Sequence, residues 1–590
     1  MSLDGQKNKH FVVAFPVPHG YISLKGDFRM NLIFGTHLLN CSKSAMKSMH
    51  RLFLSCVILT CSASSEVITI SGSVKDKQSL ASIDSARIDI INSSNPAERY
   101  SVITNSSGLW SYTFNINGIE DSPGTPVNFS IEQNYPNPFN PSTRINFGTQ
   151  TPGNVRFSVY NSIGQLIDSK QLLVPAGHHS IDWTSRGAAG VLFYSVEFGG
   201  TRITRKMLQL SGGRKGGLGN VVTFGGRSSI TSLGKAAASP YYVIASQLIY
   251  MPDTVSAMLS NNARIDFLLE TVHSRAFVID LHNDVLEKVV LGYQLGVRHA
   301  TDQSDLPRFR EGGIDAQMFA LWTNWRDSVA HPYYAYTLAM VDSFNSQIQQ
   351  NASQLSQASS YDEIIQANAS GKLAGILAVE GGHAIENSLQ KLATFFAKGV
   401  RYLTITWNNS TSWAVSAQDS RSATVGLSDF GRQVIRTVDS LGMIIDVSHT
   451  GIKTIWDILA MTKNPIIASH SGVRALNNHY RNLNDAQIDS IGKHGGVIGV
   501  VFYPPFLSPK SSATIDTVIR HIDYIKNRVG VDYIAIGSDF DGIESVPFGL
   551  EDVSKLPSLT AALLKRGYSI ADVRKILGEN YLRVFKQVCK

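Results

Sequence analysis

Cysteine is scarce in this chain of 590 residues, and its four occurrences are Cys41, Cys56, Cys61 and Cys589. No two of them are spaced as Cys-x-x-Cys, so they cannot form a zinc finger or a redox pair of that type. Residues 62–588 contain no cysteine, which excludes a disulfide framework there. The fold over this stretch must therefore depend on an apolar core.

Long apolar runs are also missing. No run reaches the roughly 18–20 residues that a membrane-spanning helix requires, so the sequence predicts no transmembrane helix. Residues 271–590 lack an excess of either charge, since they contain 30 Lys and Arg and 30 Asp and Glu. The net charge of +7 therefore comes from residues 1–270, where basic residues are scattered. This distribution argues against a nucleic-acid partner.

Residues 46–65, MKSMHRLFLSCVILTCSASS, have the features of a secretory signal: a basic start, an apolar stretch and then small residues. Because such signals begin a chain, we interpret residues 1–65 as an N-terminal extension in which Met46 or Met49 is the true start. A lipoprotein anchor at Cys61 is an alternative that Thr60 fits poorly, and a short buried helix is another. The signal predicts an exported bacterial protein, in the periplasm, at the cell surface or secreted.

Residues 66–270 alternate apolar and polar residues in short runs such as EVITISGSV and LWSYTFNI, which predicts strands. Within this zone, residues 129–210 contain NYPNPFNPST, VYNSIGQ, AGHHSIDW and a closing KMLQL. These motifs resemble the sorting domain of bacterial type IX secretion. The resemblance implies a contact with export machinery through residues 129–210, although such domains usually end a chain and 380 residues follow here.

The two flanks of the sorting-like segment, residues 66–128 and 211–270, are similar in character. The second flank begins with a Gly/Ser/Arg-rich stretch at 211–236, which we interpret as a flexible linker, and then returns to strand-like alternation. Both flanks contain Ala-Arg-Ile-Asp. We therefore expect them to form one β-sandwich similar to carboxypeptidase regulatory domains, with the sorting-like segment inserted.

Residues 271–590 alternate short apolar runs with helical patterns. Eight runs are nearly continuously apolar, as strands buried on both faces should be: AFVIDLH, IDAQMFALW, LAGILAVEG, VRYLTITW, GMIIDVSH, PIIASHSG, GGVIGVVFY and YIAIGSDF. Apolar residues at helical spacing separate them, as in 331–350 and 512–529. Eight such units predict an α/β fold, a (β/α)8 TIM-type barrel preceded by all-β sandwich modules.

Six ionisable side chains fall at the ends of these runs, where a TIM-type barrel carries its catalytic groups. They are His282 and Asp284 after the first run, Glu380 after the third, His449 after the fifth, His470 after the sixth and Asp539 after the eighth. Imidazole and carboxylate ligands suit zinc. Five ligands exceed what one catalytic zinc usually takes, so we expect two ions bridged by Glu380. His282 and Asp284 complete one ion's ligands, and His449 and His470 complete the other's.

The same region resembles the membrane (renal) dipeptidase family, zinc peptidases of family M19, over residues 275–588. The resemblance lies in DLHND, GGIDAQMFALW, VEGG, GVRYLTIT, DVSH, ASHSG, NHYRN, VVFYP, GSDFDG and GENYLRVF. It implies a binuclear zinc site bridged at Glu380. It also implies Asp539 as the catalytic carboxylate near the water and the substrate amine, Arg481 as the partner of the substrate carboxylate, and Tyr503 as a weaker substrate-binding candidate.

One position departs from the family. Its studied members carry a histidine after the fourth strand, implicated in stabilising the tetrahedral intermediate, whereas this chain has Trp407. An indole N–H donates one hydrogen bond but carries no positive charge, so that role falls to zinc or to a neighbour such as Asn408. We interpret His383 as part of the first turn of a helix and Asp541 as part of a turn.

These observations predict an exported zinc-dependent dipeptidase that hydrolyses dipeptides through a metal-bridging hydroxide. Two alternatives stay open: a related binuclear metal amidohydrolase acting on cyclic amides, lactones or β-lactams, and a non-catalytic surface-displayed binding protein. Many such amidohydrolases use a lysine carbamate after the fourth strand, where this chain has Trp407. The intact set of five ligands argues against a binding protein. No feature of the sequence indicates an oligomeric state.

Overall fold

The computed structural model describes residues 15–17, 20–25, 29–33, 66–116, 129–132, 134, 137, 139, 142–184, 190–209, 216–224, 240–329 and 331–589. The predicted signal segment, 46–65, lies outside the described residues. Contacts divide the chain between Ser65 and Glu66. In the first unit, the described backbone forms an antiparallel sheet of Phe15–Val17, Gly20–Lys25 and Arg29–Ile33. No helix in the described part of the chain is long and apolar enough to cross a membrane.

A β-sandwich is built from both flanks of the sorting-like segment. One sheet has the strand order Asp253–Ala257, Tyr241–Ser246, Arg87–Asn92 and Arg99–Ile103. In the other sheet, Glu66–Asp76 pairs with Leu109–Ile116, Ala263–Arg264 and Phe267–Leu269. One buried core joins side chains of both flanks, among them Ile68, Ile88, Val243 and Phe267. Each of the two sheets therefore contains strands from both flanks.

The sorting-like segment, together with the strand Gly217–Phe224, forms two further four-stranded sheets. One has the order Leu166–Val174, Gly153–Tyr160, Gly190–Phe198 and Thr201–Gln209. The other has the order Gly217–Phe224, Gly177–Thr184, Ser142–Thr149 and Ser130–Ile131.

The linker prediction for 211–236 is therefore wrong at Gly217–Phe224, which pairs with Gly177–Thr184. Val221, Val222 and Thr223 favour an extended backbone because they are β-branched. Pairing along an available sheet edge outweighs the entropy cost of the glycines in this strand.

Eight parallel strands close into a barrel. They are β1 (Ile279–Asn283), β2 (Ala316–Trp322), β3 (Leu373–Glu380), β4 (Val400–Thr404), β5 (Ile444–Asp446), β6 (Ile467–Ser471), β7 (Val497–Val500) and β8 (Ile534–Ile536). Their order in the sheet is β2-β1-β8-β7-β6-β5-β4-β3, and β3 pairs again with β2. A short strand, Leu355–Gln357, pairs with the start of β3. The predicted TIM-type barrel preceded by all-β modules is confirmed.

Helices separate the barrel strands. The α-helices are Val272–Arg275, Leu286–Val289, Leu306–Glu311, Tyr333–Gln350, Tyr361–Ala369, Leu389–Ala397, Asp429–Leu441, Ile452–Leu459, Asp485–Lys493, Pro504–Leu507, Ile515–Val529, Leu556–Lys565, Ile570–Arg574 and Asn580–Val588. Short 3-10 helices span Gly382–Ile385, Val531–Tyr533 and Val553–Lys555, and a π-helical turn spans Lys575–Glu579.

The barrel strands are buried on both faces, as their continuous apolar runs predict. One cluster of buried side chains joins Ile279, Ala378 and Tyr402 to Phe585 of the C-terminal helix. A larger cluster fills the space between strands and helices, and it includes Met251 of the sandwich zone. The strands therefore form a rigid frame whose carboxyl ends hold the candidate site.

Candidate metal centre

The carboxyl ends of the strands bring the five predicted ligands together. Glu380, the last residue of β3, lies among three imidazoles. Its Oε1 is 3.0 Å from Nε2 of His449 and 3.5 Å from Nε2 of His470, whereas its Oε2 is 3.5 Å from Nε2 of His282. Oδ2 of Asp284 is 3.4 Å from the same nitrogen of His282. The two oxygens of Glu380 therefore face two different sets of nitrogen atoms.

Tyr402 fixes the tautomer of His282. Nδ1 of His282 lies 2.7 Å from the Tyr402 hydroxyl, which donates its own hydrogen to the carbonyl of Leu281 at 3.1 Å. The hydroxyl must therefore accept a hydrogen bond from Nδ1–H. This leaves Nε2 of His282 as the ring nitrogen directed into the centre, where it can bind a metal.

The other two histidines are oriented in the same way. Nδ1 of His449 donates to Oδ1 of Asn408 at 2.9 Å. Nδ1 of His470 donates to Oγ of Ser469 at 2.8 Å, and that hydroxyl donates to Asp446 at 2.7 Å. Each Nδ1 therefore carries the hydrogen, and each Nε2 presents its lone pair to Glu380.

Strained backbone supports the centre at two strand ends. His449 has a φ of 62° and Asp539 a φ of 66°, values that non-glycine residues rarely adopt. The ends of β1 and β8 are joined because the N–H of Asp539 donates to the carbonyl of His282 at 3.2 Å and the N–H of Asp284 donates to the carbonyl of Phe540 at 2.9 Å. Backbone strain like that at His449 and Asp539 concentrates at functional sites, where the surrounding structure enforces it.

Burial shifts the protonation of His449, His470 and Asp539. It lowers the pKa of His449 to about 3, helped by the nearby charge of Arg481, and it lowers the pKa of His470 well below its usual value. Burial and the charge of Asp284 raise the pKa of Asp539. Both histidines are therefore neutral near pH 7, the form in which imidazole binds a metal.

The donor set fits divalent cations. Among the described residues, buried Nε2 of His282 and Oδ1 of Asp284 lack any hydrogen-bond partner. Leaving such a group unpaired costs about 1–3 kcal/mol, a cost that a bound cation removes. Two triads have ligand atoms within 4.8 Å of one another: His282, Glu380 and His470, and His282, Asp284 and Asp539. His282 thus belongs to both triads, and Asp539 lies beside the predicted ligands.

The centre opens into a cavity of about 670 Å³ that Arg481 also lines. Arg481 is only 3% exposed, and its Nη2 donates to the carbonyl of His470 at 3.2 Å. Its Nε and Nη1 have no hydrogen-bond partner within the described parts of the chain. A buried guanidinium with two unpaired nitrogen atoms is suited to bind a carboxylate.

Comparison with known proteins identifies the barrel. A family model described as membrane dipeptidase (peptidase family M19) matches residues 268–590, more than half of the chain. The chain belongs to the membrane dipeptidase family. A second model, described as a secretion system C-terminal sorting domain, matches residues 133–209. Both resemblances predicted from the sequence are confirmed, and the protein is a metallo-dipeptidase.

Individual proteins similar to this dipeptidase are also described as dipeptidases. Dipeptidase tcpJ of Claviceps purpurea is 33% identical over 325 residues, which cover 52% of this chain and 76% of the relative. The crystal structure of dipeptidase AC, a family M19 metallopeptidase, has 28% identity and a TM-score of 0.50, covering 53% of this chain and 99% of that one. The probable dipeptidase PvdM from Pseudomonas aeruginosa has 25% identity and a TM-score of 0.50, covering 54% and 96%.

Trp407, which departs from the dipeptidase family's motif, lies against the metal centre. Its ring centroid is 5.8 Å from that of His449 in a stacked arrangement and 5.2 Å from that of Trp322. All three residues line the cavity, as does Asn408. Because Oδ1 of Asn408 accepts from His449, this amide orients a predicted ligand.

The remaining candidates occupy distinct places. Tyr503 lines the cavity, and its hydroxyl donates to Glu544 at 2.9 Å. His383 lies in the 3-10 helix after β3, where its Nε2 contacts the carbonyl of Thr323 at 3.0 Å. Asp541 adopts a φ of 68° and accepts a hydrogen bond from Lys288 at 2.7 Å. These contacts agree with the interpretation of His383 as part of a helical turn and of Asp541 as part of a turn.

Two contributors to the site did not emerge from the sequence. Tyr402 is a fully buried residue inside β4, and its type and apolar neighbours indicate only core packing. Glu287 lines the cavity one helical turn after Asp284. Its helix has only four residues and does not include Asp284, so helical spacing gave no signal for Glu287.

Proposed function

We propose that this dipeptidase is an exported zinc enzyme that binds two ions and hydrolyses dipeptides with water as the nucleophile. The division of the two Glu380 oxygens between His282 on one side and His449 and His470 on the other carries the proposal. When bound, two zinc ions supply a shared water of lowered pKa and a Lewis acid for the peptide carbonyl. His282, Asp284 and Glu380 would hold one ion, and Glu380, His449 and His470 the other.

The charged ends of the cavity support a dipeptide as the substrate. Arg481 has unpaired N–H groups that can bind the substrate carboxylate, and Asp539 lies within reach of the predicted metal ligands. Asp539 would bind the substrate amine and transfer the proton from the attacking water to the leaving nitrogen. Tyr503 lines the same cavity and would contact the substrate through its hydroxyl.

Export is the second part of the proposal. The sorting-domain match over residues 133–209 supports it, as does the signal-like composition of residues 46–65. We expect residues 129–210 to contact export machinery and the barrel to act in the periplasm, at the cell surface or outside the cell. Following the barrel in cell fractions, with and without residues 129–210, tests this part.

The catalytic proposal is tested with the purified, zinc-loaded chain. The substrates are a panel of dipeptides, the corresponding tripeptides, and cyclic amides, lactones and β-lactams as the competing class. We expect hydrolysis of free dipeptides and little turnover of tripeptides, because Arg481 and Asp539 read both termini. Faster turnover of the cyclic substrates than of every dipeptide would contradict the proposal.

A further inference from the structure

Glu287 is a cavity carboxyl group without a countercharge. It lies in the helix Leu286–Val289 and lines the cavity beside the metal centre. The adjacent Lys288 does not neutralise it, because Nζ of Lys288 contacts Asp302 at 2.9 Å and Asp541 at 2.7 Å. Among the described residues, no ion pair involves Glu287.

An unpaired carboxyl group that lines a cavity can bind a cation. A cationic group on a substrate would form a charge-assisted hydrogen bond with the carboxylate of Glu287.

Two indole rings stand in the same cavity. Trp322 ends β2 and Trp407 follows β4, and their ring centroids are 5.2 Å apart. Aromatic faces attract ammonium and guanidinium groups and also cover the aliphatic stems of lysine and arginine. An aromatic pair with a carboxyl group in the same cavity therefore suits a long basic side chain.

The barrel order sets where this group lies relative to a bound dipeptide. Arg481 follows β6, which lies across the barrel from β2, whereas Asp539 follows β8, the neighbour of β1. A dipeptide with its carboxylate at Arg481 and its amine at Asp539 would have its first Cα near the end of β1, because its amine would lie at the neighbouring end of β8. The side chain on that Cα would then be directed towards Glu287, which follows β1.

Building on the proposed function, we propose that Glu287, Trp322 and Trp407 form a subsite selecting a basic side chain on the N-terminal residue of the dipeptide. The selected class is Lys-Xaa and Arg-Xaa. The carboxyl group of Glu287 binds the cationic end, and the two indoles cover the stem.

The test compares kcat/KM for Lys-Ala and norleucyl-Ala, since norleucine keeps the stem of lysine but lacks the ammonium group. Wild type, Glu287→Gln and Glu544→Gln are measured with zinc. Glu544 is the matched control, because it is another carboxylate of the cavity but bonds to Tyr503. Ala-Lys and Ala-norleucine measure the preference for a basic side chain on the second residue of the dipeptide.

We expect wild type to prefer Lys-Ala over norleucyl-Ala by about tenfold or more, the scale of a hydrogen bond to a charged group. The ratio of kcat/KM for Lys-Ala to that for norleucyl-Ala should fall to near one in Glu287→Gln and persist in Glu544→Gln. For wild type, the corresponding ratio of Ala-Lys to Ala-norleucine should be near one. Equal use of Lys-Ala and norleucyl-Ala by wild type, or an unchanged ratio in Glu287→Gln, overturns the subsite. Absence of hydrolysis of all four dipeptides by wild type instead overturns the proposed function itself.

Discussion

The hydroxyl of Tyr402 lies 2.7 Å from Nδ1 of His282 and donates its own hydrogen to a backbone carbonyl. Tyr402 is thus an acceptor toward His282 and fixes which ring nitrogen carries the hydrogen. Since the tyrosine is fully buried, water cannot replace it in this role. The orientation of one predicted ligand therefore depends on a residue 120 positions away in the chain.

Replacing Tyr402 with phenylalanine should weaken metal binding about 10- to 100-fold, the usual effect of losing a group that orients a ligand. The cause is that Nδ1–H of His282 loses its acceptor while the ring volume of the tyrosine is kept. Chelator competition measures the zinc affinity. Tyr581→Phe is the control, because Tyr581 is equally buried but its hydroxyl contacts the sulfur of Met318. Equal affinities for the two variants would contradict this role of Tyr402.

Arg481 should recognise the substrate carboxylate. Leaving the buried guanidinium unpaired costs about 1–3 kcal/mol, so a dipeptide amide should lose roughly one to two orders of magnitude in kcat/KM. Arg481→Ala should lose a similar amount and then respond little to amidation, because both changes remove one interaction. The measurement is a double cycle of free acid and amide on both proteins. If amidation costs the variant as much as wild type, Arg481 does not bind that carboxylate.

Asp539→Asn should lower kcat by about 10²- to 10⁴-fold, since an amide cannot transfer the proton. Asparagine tolerates the left-handed backbone at this position, where φ is 66°, so the substitution leaves the strand end intact. Zinc content measured in parallel separates proton transfer from metal loss. Full activity in Asp539→Asn would remove this residue from the mechanism.

Stability should fall as the pH drops, and buried His521 should contribute. Its Nδ1 accepts from the N–H of Val473 and its Nε2 donates to the carbonyl of Leu507, both at 3.0 Å. Burial lowers its pKa from 6.5 to about 4. Between these values the unfolded chain binds a proton that the folded chain does not. The free energy of unfolding should therefore decrease by up to about 1.4 kcal/mol per pH unit from this group as the pH falls.

Urea unfolding of wild type and His521→Gln between pH 7 and pH 4.5 measures this contribution. The variant should start less stable, because it loses a well-fitted ring, but its stability should depend less steeply on pH. Identical slopes for the two proteins would show that His521 does not contribute.

The barrel and the residues at its strand ends were predictable from the sequence. Strands buried on both faces leave continuous apolar runs, and the barrel rule places the residue after each run at one rim. Glu380 and His449 could be assigned to one site for this reason, although 69 positions separate them.

Other features depend on contacts that no local pattern encodes. The contact of Tyr402 with His282 joins β4 to β1, two strands that do not pair with each other, and sequence periodicity does not specify such a contact. The strand Gly217–Phe224 forms because an edge of the sorting-like module is available to it, and its glycines indicated a loop instead. Glu287 lies in a helix of only four residues, too short for a periodic pattern to indicate which side faces the cavity.

The zinc content of the purified full-length chain tests the central claim, which is that Glu380 bridges two ions. Metal analysis after dialysis should give close to two zinc ions per wild-type chain. Glu380→Gln should bind less zinc and lose most dipeptidase activity, because the amide cannot supply a negatively charged oxygen to each ion. A single tightly held ion in wild type, together with full activity of Glu380→Gln, would contradict the account.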